Sequence, residues 1–389
     1  MALMFAARRP GCHHAGVDFT LDDDLEALAA EARTVATAWA APVPEDSWLI
    51  GHSREFSLEL ARRGWLGMTW PVEEGGGGRS ALERFVVFEA LIAGGAPVAY
   101  SWFADRQIGP TLLRFGTAEQ RARFLPGIIA GTDQWCVGMS EPDAGSDVAS
   151  LRTRAERSAG GWVVNGAKVW MSGATTGDWC YLIARTDPDA PPHAGLSELI
   201  VALDTPGIEV RPIRDMTDAR HFCEVTLTDV FVPDDLLVGE VNGSFRQVMA
   251  QMEHERGGID RLISNRALYR DCLPLADLAD PLVRQEVAAL ETGYCIGRLL
   301  VLREVLGQAP PSFSAATKTF CTEFEQRVAA FCTRVLGPAA LVHDAGLSGR
   351  VARNLCYAPG YTIMGGTTQI LRNILGERVL RLPREPRAS

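Results

Sequence analysis

The stretch Met139-Ser140-Glu141-Pro142-Asp143-Ala144-Gly145-Ser146-Asp147 stands where the chain changes character. Upstream, residues 20 to about 133 carry a helical apolar period; from about Trp135 to Val238 the period falls to two. The stretch itself has exposed hydroxyls and a backbone opened by Gly145. Such a loop binds phosphates or the polar edge of a ring through N–H and O–H groups, and by composition alone it also fits an ordinary turn leading into a strand.

Working backwards, Leu21-Asp22-Asp23-Asp24-Leu25 opens an amphipathic run through Ala40, with acids in the first turn where the helix dipole favours them. Glu83 to Ala93 and Ala118 to Ile129 repeat the pattern, punctuated by Pro110 and Gly116. The run Glu74-Gly75-Gly76-Gly77-Gly78 is a loop; no strand leads into it and the spacing of a dinucleotide fingerprint is missing.

Working forwards, Trp162-Val163-Val164 precedes Asn165-Gly166, which reads as a hairpin turn before a strand from Ala167 to Met171. Cys180 to Ala184, Leu199 to Leu203, Ile208 to Ile213 and Phe222 to Phe231 are further β-rich runs, and their spacing suggests a small barrel or sandwich. After Gly239 the helical period returns. Phe245 to Leu268, Pro281 to Leu306 and Ser314 to Leu336 read as three long helices, and a last one runs from about Thr367 to Leu380. The fold class is therefore α+β multidomain. The expected divisions are a leader at 1–19, a helical domain at 20–133, a β domain at 134–238 and a helical domain at 239–389.

The 389 residues are 47% hydrophobic and 22% charged, ordinary for a globular protein and wrong for a disordered one. A net charge of −10 argues against a duplex nucleic-acid partner. No apolar run reaches the ~18–20 residues that span a bilayer, and the arginines of the leader follow its apolar stretch, the reverse of a secretory signal. A cytoplasmic location is the expectation. The nine cysteines form no CxxC pair, and the seven histidines form no HxxxH, so a zinc site is unsupported and the thiols read as reduced and mostly buried.

Two more segments carry possible chemistry. Lys168-Val169-Trp170-Met171-Ser172-Gly173 ends a strand in a Trp and a Ser, a stacking wall and a donor for a flat ligand, or else a core Trp on a hairpin. Gly365-Gly366-Thr367-Thr368-Gln369-Ile370-Leu371-Arg372 places two glycines and hydroxyls at a helix start, which suits an anion, a carbonyl or a plain cap.

In order and spacing these three segments resemble the acyl-CoA dehydrogenases over nearly the whole chain. Ser140 to Asp147 matches the family's T-E-P-x-A-G-S-D loop, and Lys168 to Ser172 its K-x-W-I-T strand. Gly109-Pro110 through Pro126, and Ile213 through Val225, resemble the helix before that loop and the late middle-domain strands. The resemblance implies FAD, an acyl-CoA or acyl-carrier thioester as substrate, an electron-transfer flavoprotein as acceptor, and a homotetramer, dimer or heterotetramer. It places Met139, Ser140, Trp170 and Ser172 around the flavin ring, Ser146 near cofactor phosphates and acyl-CoA, and Thr367 and Gln369 on the adenosine side. Arg256 and Glu253 match substrate-cleft and CoA-arm positions.

Many members carry a catalytic glutamate where this chain has Gly365, whose backbone N–H alone would serve the thioester carbonyl. A minority place the base just before the cleft arginine, and here that pair is Glu255-Arg256. The apolar stripe Met252, Ile259 and Leu262 includes Glu255, where desolvation raises a carboxyl pKa as a general base requires. An ion pair with Arg256 or Arg261 is the structural alternative, and Asp260 is the next carboxylate along. The family's R-x-x-F-G-x-x-I segment has no match near Arg270 to Ala276, a departure that looks like members working as heteromers. Two alternatives accompany the dehydrogenase reading: a non-catalytic partner subunit, and a flavin monooxygenase or oxidase on the same fold.

Overall fold

The computed structural model describes residues 20–249 and 258–384. The segment that holds Glu253, Glu255 and Arg256, and the leader at 1–19, lie outside the described residues.

The first part is helical. Asp23–Ala38 starts at Asp22, whose carboxylate accepts the Leu25 N–H. Ala81–Ala93 and Ala118–Ile129 each start with a capping box, Ser80 with Glu83 and Thr117 with Gln120, which satisfies amide groups that a helix start leaves open. Between them the helix Ala99–Phe103 continues into a π-turn, Ala104–Ile108, and then into Gly109–Phe115. Consecutive residues of that π-turn reach different sides of the element.

Eight strands form one mixed sheet: β1 (Trp135–Gly138), β2 (Arg154–Ser158), β3 (Gly161–Ser172), β4 (Trp179–Arg185), β5 (Leu196–Ala202), β6 (Ile208–Ile213), β7 (Phe222–Pro233) and β8 (Leu237–Val238). The paired order is β6-β7-β3-β2-β4-β5-β8, with β1 parallel to β4. The hydrogen-bonded path is open between β6 and β8. The turn expected at Asn165-Gly166 is absent. β3 runs straight through as a bulge against β7, held by the Asn165 amide donating to Asp229 at 3.1 Å; the hairpin instead turns between Ser158 and Gly161.

The last part returns to helices: Pro281–Val305, Phe313–Leu336, Leu347–Tyr357 and Thr368–Ile374. The helix expected over Phe245 to Leu268 is broken. Residues 244–249 are helical, then Asp260–Ile263 and Arg266–Cys272 are separate short helices. The break at Ser264-Asn265 follows from side chains that bind elsewhere: Asn265 donates to the Glu325 carbonyl at 2.9 Å and to Asn354 at 3.2 Å. Leu347–Tyr357 was not anticipated.

The two helical parts share one core. Trp48, Phe56, Phe85 and Phe88 from the first pack in the same cluster as Leu262, Tyr269, Leu290 and Phe324 from the second. A second cluster joins the sheet to Ile108, Leu112, Phe124 and Ile128. Each such large side chain contributes roughly 1.5–3 kcal/mol on burial. A seam between the clusters is where a site can open.

Candidate active site

One wall of the site is the loop after β1. Glu141 and Ala144 exchange backbone hydrogen bonds at 2.9 and 3.1 Å, turning the chain tightly through Pro142 and Asp143. The Glu141 carboxylate accepts from the Arg152 and Thr153 amides and from the Lys168 ammonium at 2.8 Å. Lys168 is fully buried and also donates to the Met139 carbonyl at 3.1 Å. Burial tends to raise the Glu141 pKa, but the Lys168 charge and these donors hold it below its usual range. Burial likewise pushes the Lys168 ammonium down against the pull of Glu141. The pair fixes Met139 and Ser140 against β3, where the Val169 amide donates to the Ser140 carbonyl.

Trp170 follows directly. The register shift between Lys168 and Met171 puts it at φ 61°, a left-handed backbone that a bulky residue rarely adopts. The residue is 57% exposed, and its ring stands edge-on to Phe222 at 5.7 Å. An indole turned out of a strand at the rim of a cavity is placed to face a flat ligand.

The opposite wall is Ile363 to Thr367. Gly365 and Gly366 have φ of 68° and 95°, so both need glycine's freedom. The buried Lys318 ammonium donates to the Gly366 carbonyl at 2.8 Å and holds the turn in place. Thr367 caps the following helix by accepting the Ile370 amide at 3.2 Å.

Between the walls lies a cavity of about 580 Å³, within the range of small-molecule and cofactor sites. Met139, Ser140, Ser146, Trp170, Ser172, Gly365 and Thr367 all line it. Gln369 does not; it is exposed on the first turn of the helix. Trp48, Phe103 and Gln107, which no motif marks, also line the cavity, together with Arg261, which the sequence offers only as an ion-pair partner for Glu255. Arg261 is buried, stacks over Trp48 at 4.9 Å and lies 3.5 Å from Asp260. Asp260 in turn pairs with Arg106 at 2.7 Å and is absent from the cavity lining, so the fallback carboxylate is committed to an ion pair. Its apolar stripe was legible; the aromatic Trp48, from a segment without periodicity, was not.

The donor set fits a flavin ring: hydroxyls of Ser140 and Ser172 beside an outward indole, facing a glycine turn that leaves room for a planar group. Among the described residues no group of three or more His, Cys, Asp or Glu side chains is placed to hold a metal ion. Among them, too, no helix is long and apolar enough to cross a membrane.

Comparison with known proteins agrees with this geometry. The acyl-CoA dehydrogenase N-terminal domain matches residues 22–132, the middle domain 136–230 and the C-terminal domain 245–380. The chain is 37% identical over 341 residues to acyl-CoA dehydrogenase IpdE1 of Mycobacterium tuberculosis, covering 85% of this chain and 88% of that one. Among solved structures, the Tcur3481-Tcur3483 steroid ACAD superposes with a TM-score of 0.86 at 31% identity, covering 95% of this chain and 100% of that one. The ChsE4-ChsE5 complex from Mycobacterium tuberculosis gives a TM-score of 0.83, also at 31% identity and with the same coverage. With three matched domains in the family's order and a cavity suited to the flavin ring, the chain is an enzyme of the FAD-dependent acyl-CoA dehydrogenase family.

Proposed function

We propose that this enzyme removes the α and β hydrogens of an acyl thioester, with a bulky cyclic acyl group as the substrate class. The observation that carries the reading is the outward Trp170 with Ser140 and Ser172 facing the Gly365-Gly366 turn across one cavity. Bound FAD supplies the acceptor for the β-hydrogen, which leaves as hydride. The chain's own residues do the rest. Ser140 and Ser172 hold the polar edge of the ring, and Trp170 covers its face. The Gly365 backbone N–H binds the thioester carbonyl and raises the acidity of the α-carbon. Gly365 has no carboxyl, so the α-proton goes to Glu255, with Arg256 at the substrate cleft and Glu253 on the CoA arm. The cyclic substrate follows from likeness to a steroid enzyme and from the aromatic floor at Trp48 and Phe103.

A heteromeric assembly is the second reading. Gln369, expected at the adenosine end of FAD, lies outside the cavity, and two similar structures are complexes of two named chains. In this reading a partner chain supplies the remaining FAD contacts. A panel of straight-chain and cyclic acyl-CoAs, with an artificial electron acceptor and mass analysis of products, tests the reaction. An enoyl thioester two hydrogens lighter is expected; oxygenated products instead would point to a monooxygenase. Light scattering with flavin quantification tests assembly: full FAD occupancy in a homo-oligomer of this chain would exclude the heteromer.

A further inference from the structure

The cavity wall that carries Gly365 is held from behind by one side chain. Lys318, on the helix Phe313–Leu336, is fully buried, and its ammonium donates to two carbonyls of that wall, Gly366 at 2.8 Å and Tyr361 at 3.5 Å. The two acceptors stand at either end of a short stretch, and between them Ile363, Met364 and Gly365 all line the cavity. Lys318 itself is absent from the lining. One cation thus braces, from outside the cavity, both ends of the stretch that faces the ligand.

Such a brace has work to do here. Gly365 and Gly366 sit at φ 68° and 95°, and neither has a side chain that packing could fix. The direction of the Gly365 N–H is therefore set by whatever holds the chain on either side of it. Downstream, Thr367 caps the next helix by accepting the Ile370 amide. Upstream, Gln326 donates to the Thr362 hydroxyl at 3.0 Å and to the Ala358 carbonyl at 3.4 Å, which ties the approach to the turn. The Lys318 bond is made to the glycine turn itself.

Desolvating an ammonium costs free energy that a neutral side chain would not, so a turn that had only to close could do without one. A cation adds two things that thioester chemistry uses. It presents three donors from one point, enough to hold separated carbonyls in a fixed relation. Its charge also has the sign that favours the enolate oxygen formed as the α-proton leaves. We propose that Lys318 is a positioning residue for the dehydrogenation: by pinning the Tyr361 and Gly366 carbonyls it aims the Gly365 N–H at the thioester carbonyl, without touching the substrate. This rests on the thioester reading above, which gives the Gly365 N–H its task, and adds the residue that makes a glycine turn rigid enough to perform it.

The test uses the FAD-loaded enzyme and Lys318→Met, which keeps a long unbranched side chain and loses the donors and the charge. It reads FAD content, anaerobic flavin reduction by the most active acyl-CoA of the panel above, and the infrared carbonyl stretch of bound cinnamoyl-CoA carrying a carbon isotope label at the thioester. A hydrogen bond to that carbonyl lowers its frequency. Lys318→Met is expected to keep its FAD, to slow reduction by roughly tenfold to a hundredfold, the scale of a misplaced oxyanion donor, and to lose at least about half of the carbonyl shift. Gln326→Leu is the control for a purely structural effect: it removes the upstream tie and should lower thermal stability, with reduction and carbonyl shift as in the unaltered enzyme. Lys318→Gln, with a neutral donor, should fall between, and it is read instead if the Met variant does not load FAD. An FAD-loaded Lys318 variant with an unchanged carbonyl shift overturns the proposal, whatever its rate, because the donor would still be in place. Equal losses in Gln326→Leu, or no FAD in either Lys318 variant, also overturn it, since Lys318 would then serve the fold. If no acyl-CoA reduces the unaltered enzyme, the thioester reading fails and this proposal with it; normal reduction that Lys318→Met leaves untouched sinks this proposal alone.

Discussion

At Trp170 the backbone takes a left-handed conformation and turns a large apolar ring to the outside. Neither feature helps the empty fold, so both point to a ligand. Replacing an exposed side chain normally changes stability by less than ~0.5 kcal/mol. Trp170→Ala should therefore leave apoprotein denaturation almost unchanged while weakening FAD retention by roughly tenfold, the scale of a lost aromatic contact; equal losses in both would make Trp170 structural. Glu255 carries the opposite expectation. Glu255→Gln keeps the volume and removes the proton acceptor, so FAD should stay bound while flavin reduction slows by ~10²–10⁴-fold. Stopped-flow absorbance reads this directly, and reduction at the unaltered rate would return Glu255 to a packing role. Gly365→Glu is the companion variant, since some members of the family root the base there.

Elements were legible where a period and a cap agreed. Ala81–Ala93, Ala118–Ile129 and Phe313–Leu336 lie within a few residues of expectation because each pairs an apolar stripe with a clear start or stop. Two readings failed where a long-range partner overrode a local signal. Asn165-Gly166 is a sound turn dipeptide, but β7 captures the Asn165 side chain and the strand continues. The stripe through Leu262 continues past Ser264-Asn265, yet those two side chains serve Trp48, Glu325 and Asn354, partners sixty or more residues distant, invisible to any local pattern. The site divided the same way. Its motif residues were readable one by one, while Arg261 and Trp48 reach the cavity only through packing between the two helical parts. Because Asn265 is fully buried and doubly bonded, Asn265→Ala should cost about 1–3 kcal/mol in urea denaturation, mainly by leaving the buried Asn354 Oδ1 without its donor and removing the second bond to the Glu325 carbonyl. An unaltered midpoint would show that the break has another cause.

Over the whole molecule, the three parts meet around two half-buried histidines. His52 shares a hydrogen bond with Gln134 at 2.8 Å, and His221 reaches Tyr357 of the third part at 3.2 Å. Burial holds each down to about 4 from 6.5, partly opposed at His52 by a backbone hydrogen bond with Leu49 and at His221 by Asp215. The unfolded chain therefore binds protons that the folded chain refuses. Their contribution is complete above pH 6.5 and is lost as pH falls from 6.5 towards 4, by an order of ~2–3 kcal/mol each. His52→Gln with His221→Gln should flatten thermal stability across that window, and an unchanged acid slope would assign it to other groups.

The central claim is that a thioester and a flavin meet between Trp170 and Gly365. Anaerobic addition of cyclic acyl-CoAs to the purified, FAD-loaded enzyme tests it most directly, by the absorbance of the flavin. The account predicts bleaching that saturates with thioester and is slowed at least a hundredfold by Glu255→Gln. An oxidised spectrum that no acyl-CoA changes would contradict it.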